Sequence, residues 1–311
     1  MLTALLMAAA LAGAPTESFV EIPGGAAPLK ATLLAPEGRP RAAVVILPGS
    51  GPTNRDGDSP LGVKGATYRL LAEGLAAEGV ASLRMDKRGM FASGPAAADP
   101  NAVTVTVLAE DARAWARKLK AETGLPCAWL LGHSEGGLVA LIAAQDDRDI
   151  CGLVLVAAGG RPMAEVLREQ LRANPANAPV LDQAMHAIAE LEAGRRVDVA
   201  GMHPGLLPLF HPAVQGFLIE MFRQDPAKLA GAVRKPVLIV QGETDLQVSV
   251  ADARALKAAR PDAELLLLPG VNHILKAAPA DRAANLATYA DPSLPLAPGV
   301  AEGIAAFVTA R

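Results

Sequence analysis

The chain holds only two cysteines in 311 residues, Cys127 and Cys151. Two are too few for a disulfide framework or a thiolate metal cluster. Each stands just before an apolar run, "CAWLLG" and "CGLVLVAAG". If those runs are neighbouring parallel strands, the thiols lie at similar height. Two small core thiols are the expected state, with a disulfide the alternative if the chain is exported. Aromatic residues are scarce as well, at 3%, which argues against stacking platforms for bases or sugars. No excess of one charge exists: the formal net charge is −3, without a long basic run. Phosphate recognition draws on clustered Lys and Arg, so nucleic acid is not an expected partner. Past the N-terminus no stretch gives 18 uninterrupted apolar residues, and no membrane span is expected. Neither G-x-x-x-x-G-K-[ST] nor G-x-G-x-x-G occurs, and no histidines form H-E-x-x-H. No cofactor and no metal are therefore expected.

Hydrophobic residues, by contrast, make up 51% and charged residues 20%. A large core follows, and disorder does not fit. The opening "MLTALLMAAALAGA" is too short to span a bilayer but suits the apolar region of a signal peptide. Ala10 and Ala12 form a small pair before a cleavage between Ala12 and Gly13, although no Lys or Arg precedes the apolar run. Residues 1–12 are thus expected to be a signal peptide and the protein to be exported, to the periplasm; without such processing it would be cytoplasmic.

Short apolar runs alternate with longer helical patterns. After "SFVEIP" and "LKATLLAP", the runs fall at 42–49, 79–86, 127–132, 151–157, 236–242 and 263–270. Near-continuous hydrophobicity over five to seven residues suits strands buried on both faces of a parallel sheet. Helical patterns occupy 68–78, 107–122, 137–145 and 251–259, and Val300, Ile304, Phe307 and Val308 share one helical face. The alternation predicts an α/β class: a doubly wound, mostly parallel sheet. Residues 13–160 and 234–311 form the expected core. Between them, 161–233 lacks strand-like runs and is rich in Leu and Met, with breaks at "NPANAP" and "HPGLLPLFHP". This segment is expected to be a helical lid insertion, since it falls where strand ends and ligands meet. Its Met163, Val166, Leu167, Leu181, Met185, Leu206, Leu207, Phe210, Phe217, Met221 and Phe222 are expected to pack the lid and in part to line a pocket.

One serine is placed for chemistry. "GHSEG", Gly132–Gly136, fits G-x-S-x-G between an expected strand and an expected helix. A sharp strand-to-helix turn lifts such a hydroxyl out of the sheet, and glycines at both flanks remove side chains that would clash. A serine nucleophile needs a base, and the base an orienting carboxylate. Of five histidines, His133 is next to Ser134 and is expected to project the wrong way. His186, His203 and His211 lie in the insertion and are expected at the surface or at helix ends. His273 follows the last strand-like run in "LLLLPGVNHILK", and Asp245 holds the same topological position in "GETDLQV". In a doubly wound sheet these loops converge on one edge. Glu243 is the rival orienter. The oxyanion needs two preorganised N–H donors: the Glu135 amide at the helix start, and the Ser50 amide from "PGSGPTNRDG", with Gly51 the alternative. Arg55, Asp56, Asp86 and Arg88 are expected to form an ion-pair set bracing these loops.

Together the stretches "LPGSGPTNRDG", "RMDKRG", "GHSEGG", "VLIVQGETDLQV" and "PGVNHILK" resemble, in order, the α/β-hydrolase superfamily, in particular bacterial esterase-like members grouped with serine aminopeptidase-like hydrolases. The resemblance runs from about residue 42 to the end, the insertion excepted. It implies nucleophile Ser134, acid Asp245, base His273, oxyanion donors Ser50 and Glu135, and elbow glycines Gly132 and Gly136. One departure concerns the donor loop: many relatives carry His-Gly where this chain has Pro48–Gly49. The expectation is a serine hydrolase, a carboxylesterase acting on small to medium acyl esters as its small-molecule partner. Alternatives on the same triad are peptidase or aminopeptidase, thioesterase and lactonase action; a non-catalytic hydrolase-fold binding protein is a remote one.

Overall fold

The computed structural model describes residues 14–145 and 148–311. The expected signal peptide lies outside the described residues. Eight strands form one sheet: β1 (Thr16–Ile22), β2 (Leu29–Ala35), β3 (Ala42–Leu47), β4 (Val80–Met85), β5 (Ala128–His133), β6 (Ile150–Val156), β7 (Val237–Gly242) and β8 (Glu264–Leu268). Their order is β1-β2-β4-β3-β5-β6-β7-β8. β1 and β2 make antiparallel pairings at one edge, and all pairings from β4–β3 to β7–β8 are parallel.

The central strands β3, β4, β5 and β7 are buried along their whole length because both faces are covered. In β3, Ala43, Val45 and Leu47 enter one hydrophobic cluster, while Val44 and Ile46 enter the other. This is the two-residue alternation of a strand, with neither face left to water. Helices α1 (Thr67–Ala77), α2 (Val105–Thr123) and α3 (Glu135–Ala143) follow β3, β4 and β5. The insertion supplies α4 (Met163–Ala173), α5 (Leu181–Glu192), α6 (Leu207–Phe210), α7 (Pro212–Phe222) and α8 (Pro226–Ala232). After β7 come α9 (Val250–Ala259), α10 (Arg282–Ala287) and α11 (Val300–Thr309). Leu71 and Leu75 of α1 and Ile304 and Phe307 of α11 cover one face of the sheet. Trp115 of α2, Leu141 of α3 and Leu256 of α9 cover the other. Each fully buried Leu stabilises by about 2 kcal/mol over an exposed one.

The insertion is helical, as its composition predicts. However, Leu206, Phe210, Met221 and Phe222 are buried in the same cluster as α2 and α3. Glu220 of α7 also accepts from the Val105 amide at 3.0 Å, fastening the insertion to the first turn of α2. These apolar side chains therefore anchor the insertion on the core. Among the described residues no single helix is long and apolar enough to cross a membrane.

Cys127 and Cys151 are bonded, their Cα atoms 5.2 Å apart. The expectation of two free core thiols is corrected here. Cys127 immediately precedes β5 and Cys151 lies in β6, and the parallel pairing of Ala128 with Ile150 brings them side by side. Denatured but unreduced protein is expected to show no reactive thiol toward Ellman's reagent. Reduction should lower the unfolding free energy by about 3 kcal/mol, the scale for a loop of this length, read as a drop in the urea midpoint. Two reactive thiols would refute the bond.

Candidate active site

In a parallel sheet the loops leaving the strand C-termini share one edge. The loops after β3, β5, β7 and β8 meet there. β5 ends at His133, and Ser134 follows with φ 54° and ψ −121° before α3 begins at Glu135. Such a conformation costs a non-glycine residue about 1–3 kcal/mol and persists only where the surroundings enforce it. Here the Ser134 amide donates to Val156 O and the Gly137 amide to Ser134 O, both at 2.9 Å. The turn is so tight that a Cβ on Gly132 would lie 2.2 Å from Gly136 O, and one on Gly136 2.3 Å from Leu47 O. The side-chain-free flanks read from the sequence are thus required by backbone contact.

Asp245 stands in the loop after β7 with its side chain out of solvent. Its Oδ1 accepts from the amides of Gln247 at 2.7 Å and Val248 at 3.0 Å. Its Oδ2 accepts from His273 Nδ1 at 2.8 Å. Burial alone would raise this carboxyl; the imidazole beside it and the two amides outweigh that and hold it below its ordinary value. Because Nδ1 donates to a carboxylate, the lone pair of the neutral ring lies on Nε2. Glu243, the rival orienter, is exposed and makes no hydrogen bond to His273 among the described residues.

Ser134, His273, Gly49 and Ser50 line one cavity of about 170 Å³, whose walls include Leu61, Val63, Ile274 and Tyr289. None of its lining residues comes from the insertion. Among the described residues the amides of Ser50 and Glu135 make no intramolecular hydrogen bond, whereas the Gly49 amide donates to Tyr68 Oη at 2.9 Å. A larger cavity of about 580 Å³ lies between β1, β2 and Arg84 and shares no lining residue with this one. Its cations are paired, Lys30 with Glu21, Arg55 with Asp86, Arg69 with Glu73 and Arg84 with Glu17, and it holds no activated nucleophile. The strained serine and the carboxylate-bound histidine line the smaller cavity instead. Among the described residues no three His, Cys, Asp or Glu side chains converge to hold a metal ion.

His133 does not turn away from the site. Its buried ring lies 4.8 Å from that of His273 and 5.5 Å from that of Tyr68, centroid to centroid. Nε2 donates to the His273 carbonyl at 2.8 Å, and Nδ1 accepts from Tyr68 Oη at 2.9 Å. Burial, reinforced by the electrostatic effect of the neighbouring His273 ring, pushes the ring down to about 3, so it is neutral at pH 7. Burial also raises the Tyr68 phenol far above its ordinary value. A signal for Tyr68 was present: it and Tyr289 are the chain's two tyrosines, and both line this cavity.

The other expected residues find duller places. His203 and His211 accept from the Gly205 and Ala213 amides at the starts of helical turns, and His186 is exposed. Of the four loop charges only Arg55 and Asp86 pair with each other, at 2.6 Å. Arg88 instead binds Asp111 on α2, and Asp56 approaches Arg84.

A parallel sheet with a strained serine after a central strand, and a carboxylate and histidine on later strand ends, is the α/β-hydrolase fold. The sequence model of the family described as serine aminopeptidase, S33, matches residues 38–198, more than half of the chain, and the chain belongs to that family. It is 28% identical over 267 residues to esterase EstD of Thermotoga maritima; the alignment covers 83% of this chain but only 61% of EstD. Among solved structures, Est1E of Butyrivibrio proteoclasticus with ferulic acid bound superposes with a TM-score of 0.59 at 19% identity, covering 94% of this chain and all of that one. The esterase domain of a Rhodothermus marinus protein gives 0.56 at 20% identity, covering 95% and 98%. At these identities the structural likeness speaks to the fold.

Proposed function

We propose that this protein hydrolyses carboxylic esters of short acyl groups through an acyl-enzyme on Ser134. The observation that carries the reading is the 2.8 Å hydrogen bond from His273 to a buried Asp245, in the same cavity as a serine held at positive φ. Asp245 fixes the His273 tautomer, and His273 Nε2 takes the Ser134 proton as the hydroxyl attacks the acyl carbonyl. The amides of Ser50 and Glu135 hold the oxyanion. The alcohol leaves with the proton from His273, and water repeats the sequence on the acyl-enzyme. An aminopeptidase would need a carboxylate to anchor the substrate's α-ammonium, and among the described residues no Asp or Glu lines the cavity. That favours an ester, as does the name of the relative EstD. The Cys127–Cys151 bond favours export to an oxidising compartment.

At about 170 Å³ the cavity is well below the roughly 300–1,000 Å³ of sites for drug-sized ligands. With no insertion residue in the cavity wall, small acyl groups fit the site better than medium ones. We expect kcat/KM for p-nitrophenyl acetate and butyrate to exceed that for octanoate by at least about tenfold. A fluorophosphonate should label the protein once, on Ser134. An octanoate optimum would refute the short-acyl assignment, and failure of both hydrolysis and labelling would refute the serine-hydrolase reading.

A further inference from the structure

Gly49 poses a conflict at the centre of the site. A Cβ at this position would approach Ser134 Cβ to 3.2 Å and His133 Nδ1 to 3.3 Å, so the loop passes the nucleophile most comfortably as glycine. Glycine, however, is the residue with the greatest backbone freedom. An oxyanion donor on the next peptide is useful only if it is fixed before the reaction begins. Something other than the residue itself must remove that freedom.

Two buried side chains grip the peptides on either side of Gly49 Cα. Tyr68 Oη accepts from the Gly49 amide at 2.9 Å, which fixes the preceding peptide plane. Lys87 Nζ donates to the Gly49 carbonyl at 2.7 Å, which fixes the following one. With both planes held, neither φ nor ψ of Gly49 is free. The following plane also carries the Ser50 N–H. In a trans peptide the C=O and N–H point in opposite directions, and the chain has no cis bond among the described residues. Lys87 is buried beneath the loop, whereas Ser50 is exposed and lines the cavity with Ser134. Holding the carbonyl from below turns the amide hydrogen to the cavity side.

Each grip is tied to another part of the site. Lys87 Nζ lies 3.5 Å from Glu135 Oε1, both side chains being buried, and Glu135 supplies the second oxyanion amide. The Tyr68 hydroxyl, its lone pair engaged by Gly49, donates its one hydrogen to His133 Nδ1, and His133 Nε2 donates to the His273 carbonyl. Every donor in this chain faces an acceptor, so the hydrogen positions admit one assignment. We propose that Tyr68 and Lys87 are positioning residues that clamp Gly49 and aim the Ser50 amide at the oxyanion. The inference rests on the serine-esterase reading above.

Tyr68→Phe and Lys87→Met, with p-nitrophenyl acetate as substrate, test it. Each should lower kcat about 10- to 100-fold while KM stays within about twofold, since a misaimed donor weakens the transition state more than the ground state. The rate of fluorophosphonate labelling should fall in parallel. Lys87→Arg, which restores a cationic donor, should recover a large part of the loss. Because Lys87→Met leaves Glu135 buried without its partner, Lys87→Met/Glu135→Gln serves as the second variant if the single one does not fold. A loss of melting temperature with kcat unchanged would mark both residues as merely structural and overturn the proposal, leaving the esterase reading intact. Wild-type protein inert to both ester and fluorophosphonate would overturn that reading, and the proposal with it.

Discussion

Ser134→Ala is expected to lower kcat for p-nitrophenyl acetate at least ~10³-fold, with KM near its wild-type value. In the proposed mechanism the hydroxyl forms the acyl-enzyme, and the adjacent His133 cannot replace it, being neutral and engaged at both ring nitrogens. Residual turnover would come from the Ser50 and Glu135 amides acting on attack by water, which explains why the loss is large but finite. Alanine lacks only the Oγ, and Ser134 Oγ makes no intramolecular hydrogen bond among the described residues. Stability should therefore move little, and the strained φ of 54° persists in both proteins. Initial rates and urea midpoints measured side by side check both halves. A folded variant retaining a tenth of the activity would refute the role of Ser134.

The fold was legible because its central strands are buried on both faces. "AAVVIL" needs no partner information to be read as a central strand, and β3 proves fully buried. The positions of Asp245 and His273 were legible for a related reason: in a parallel sheet, chain order and strand ends determine which loops meet. What stayed hidden depends on side-chain direction and on loops without periodicity. Its place beside the serine predicts that His133 projects away from the site, yet the turn at Ser134 leaves its ring buried between Tyr68 and His273. Tyr289 follows α10 in "APADRAANLATYADPSLPLAPG", where alanine and proline give neither a two-residue nor a 3.6-residue pattern. The insertion misled differently. Its apolar residues were countable, but whether each faces a ligand or the core is a tertiary question: Leu206, Phe210, Met221 and Phe222 are buried in the cluster of α2 and α3, whereas Met163, Leu167, Met185 and Phe217 are only partly buried.

Gly136→Ala should cost on the order of 4 kcal/mol of unfolding free energy, at the upper end for a single substitution. The added methyl would lie 2.3 Å from Leu47 O and 2.8 Å from Pro48 O. Both are backbone atoms at the end of β3, so no side chain can swing aside. Relief requires α3 to move away from β3, and that motion carries consequences for chemistry. Ser134 and the Glu135 amide ride on the start of α3, whereas the Ser50 amide rides on the loop leaving β3. Separating the two elements pulls the proposed nucleophile and one proposed oxyanion donor away from the other. Activity should therefore fall by more than the folded fraction does, and adding a stabilising osmolyte should restore fold before it restores kcat. Gly94→Ala is the control, because a Cβ there meets nothing within 4 Å and the backbone is not at positive φ; its urea midpoint should match wild type within about 0.5 kcal/mol. A Gly136→Ala protein with wild-type midpoint and wild-type kcat would show that the contact between α3 and β3 is loose enough to take a methyl, and the rigid elbow on which the serine-hydrolase mechanism rests would have to be abandoned.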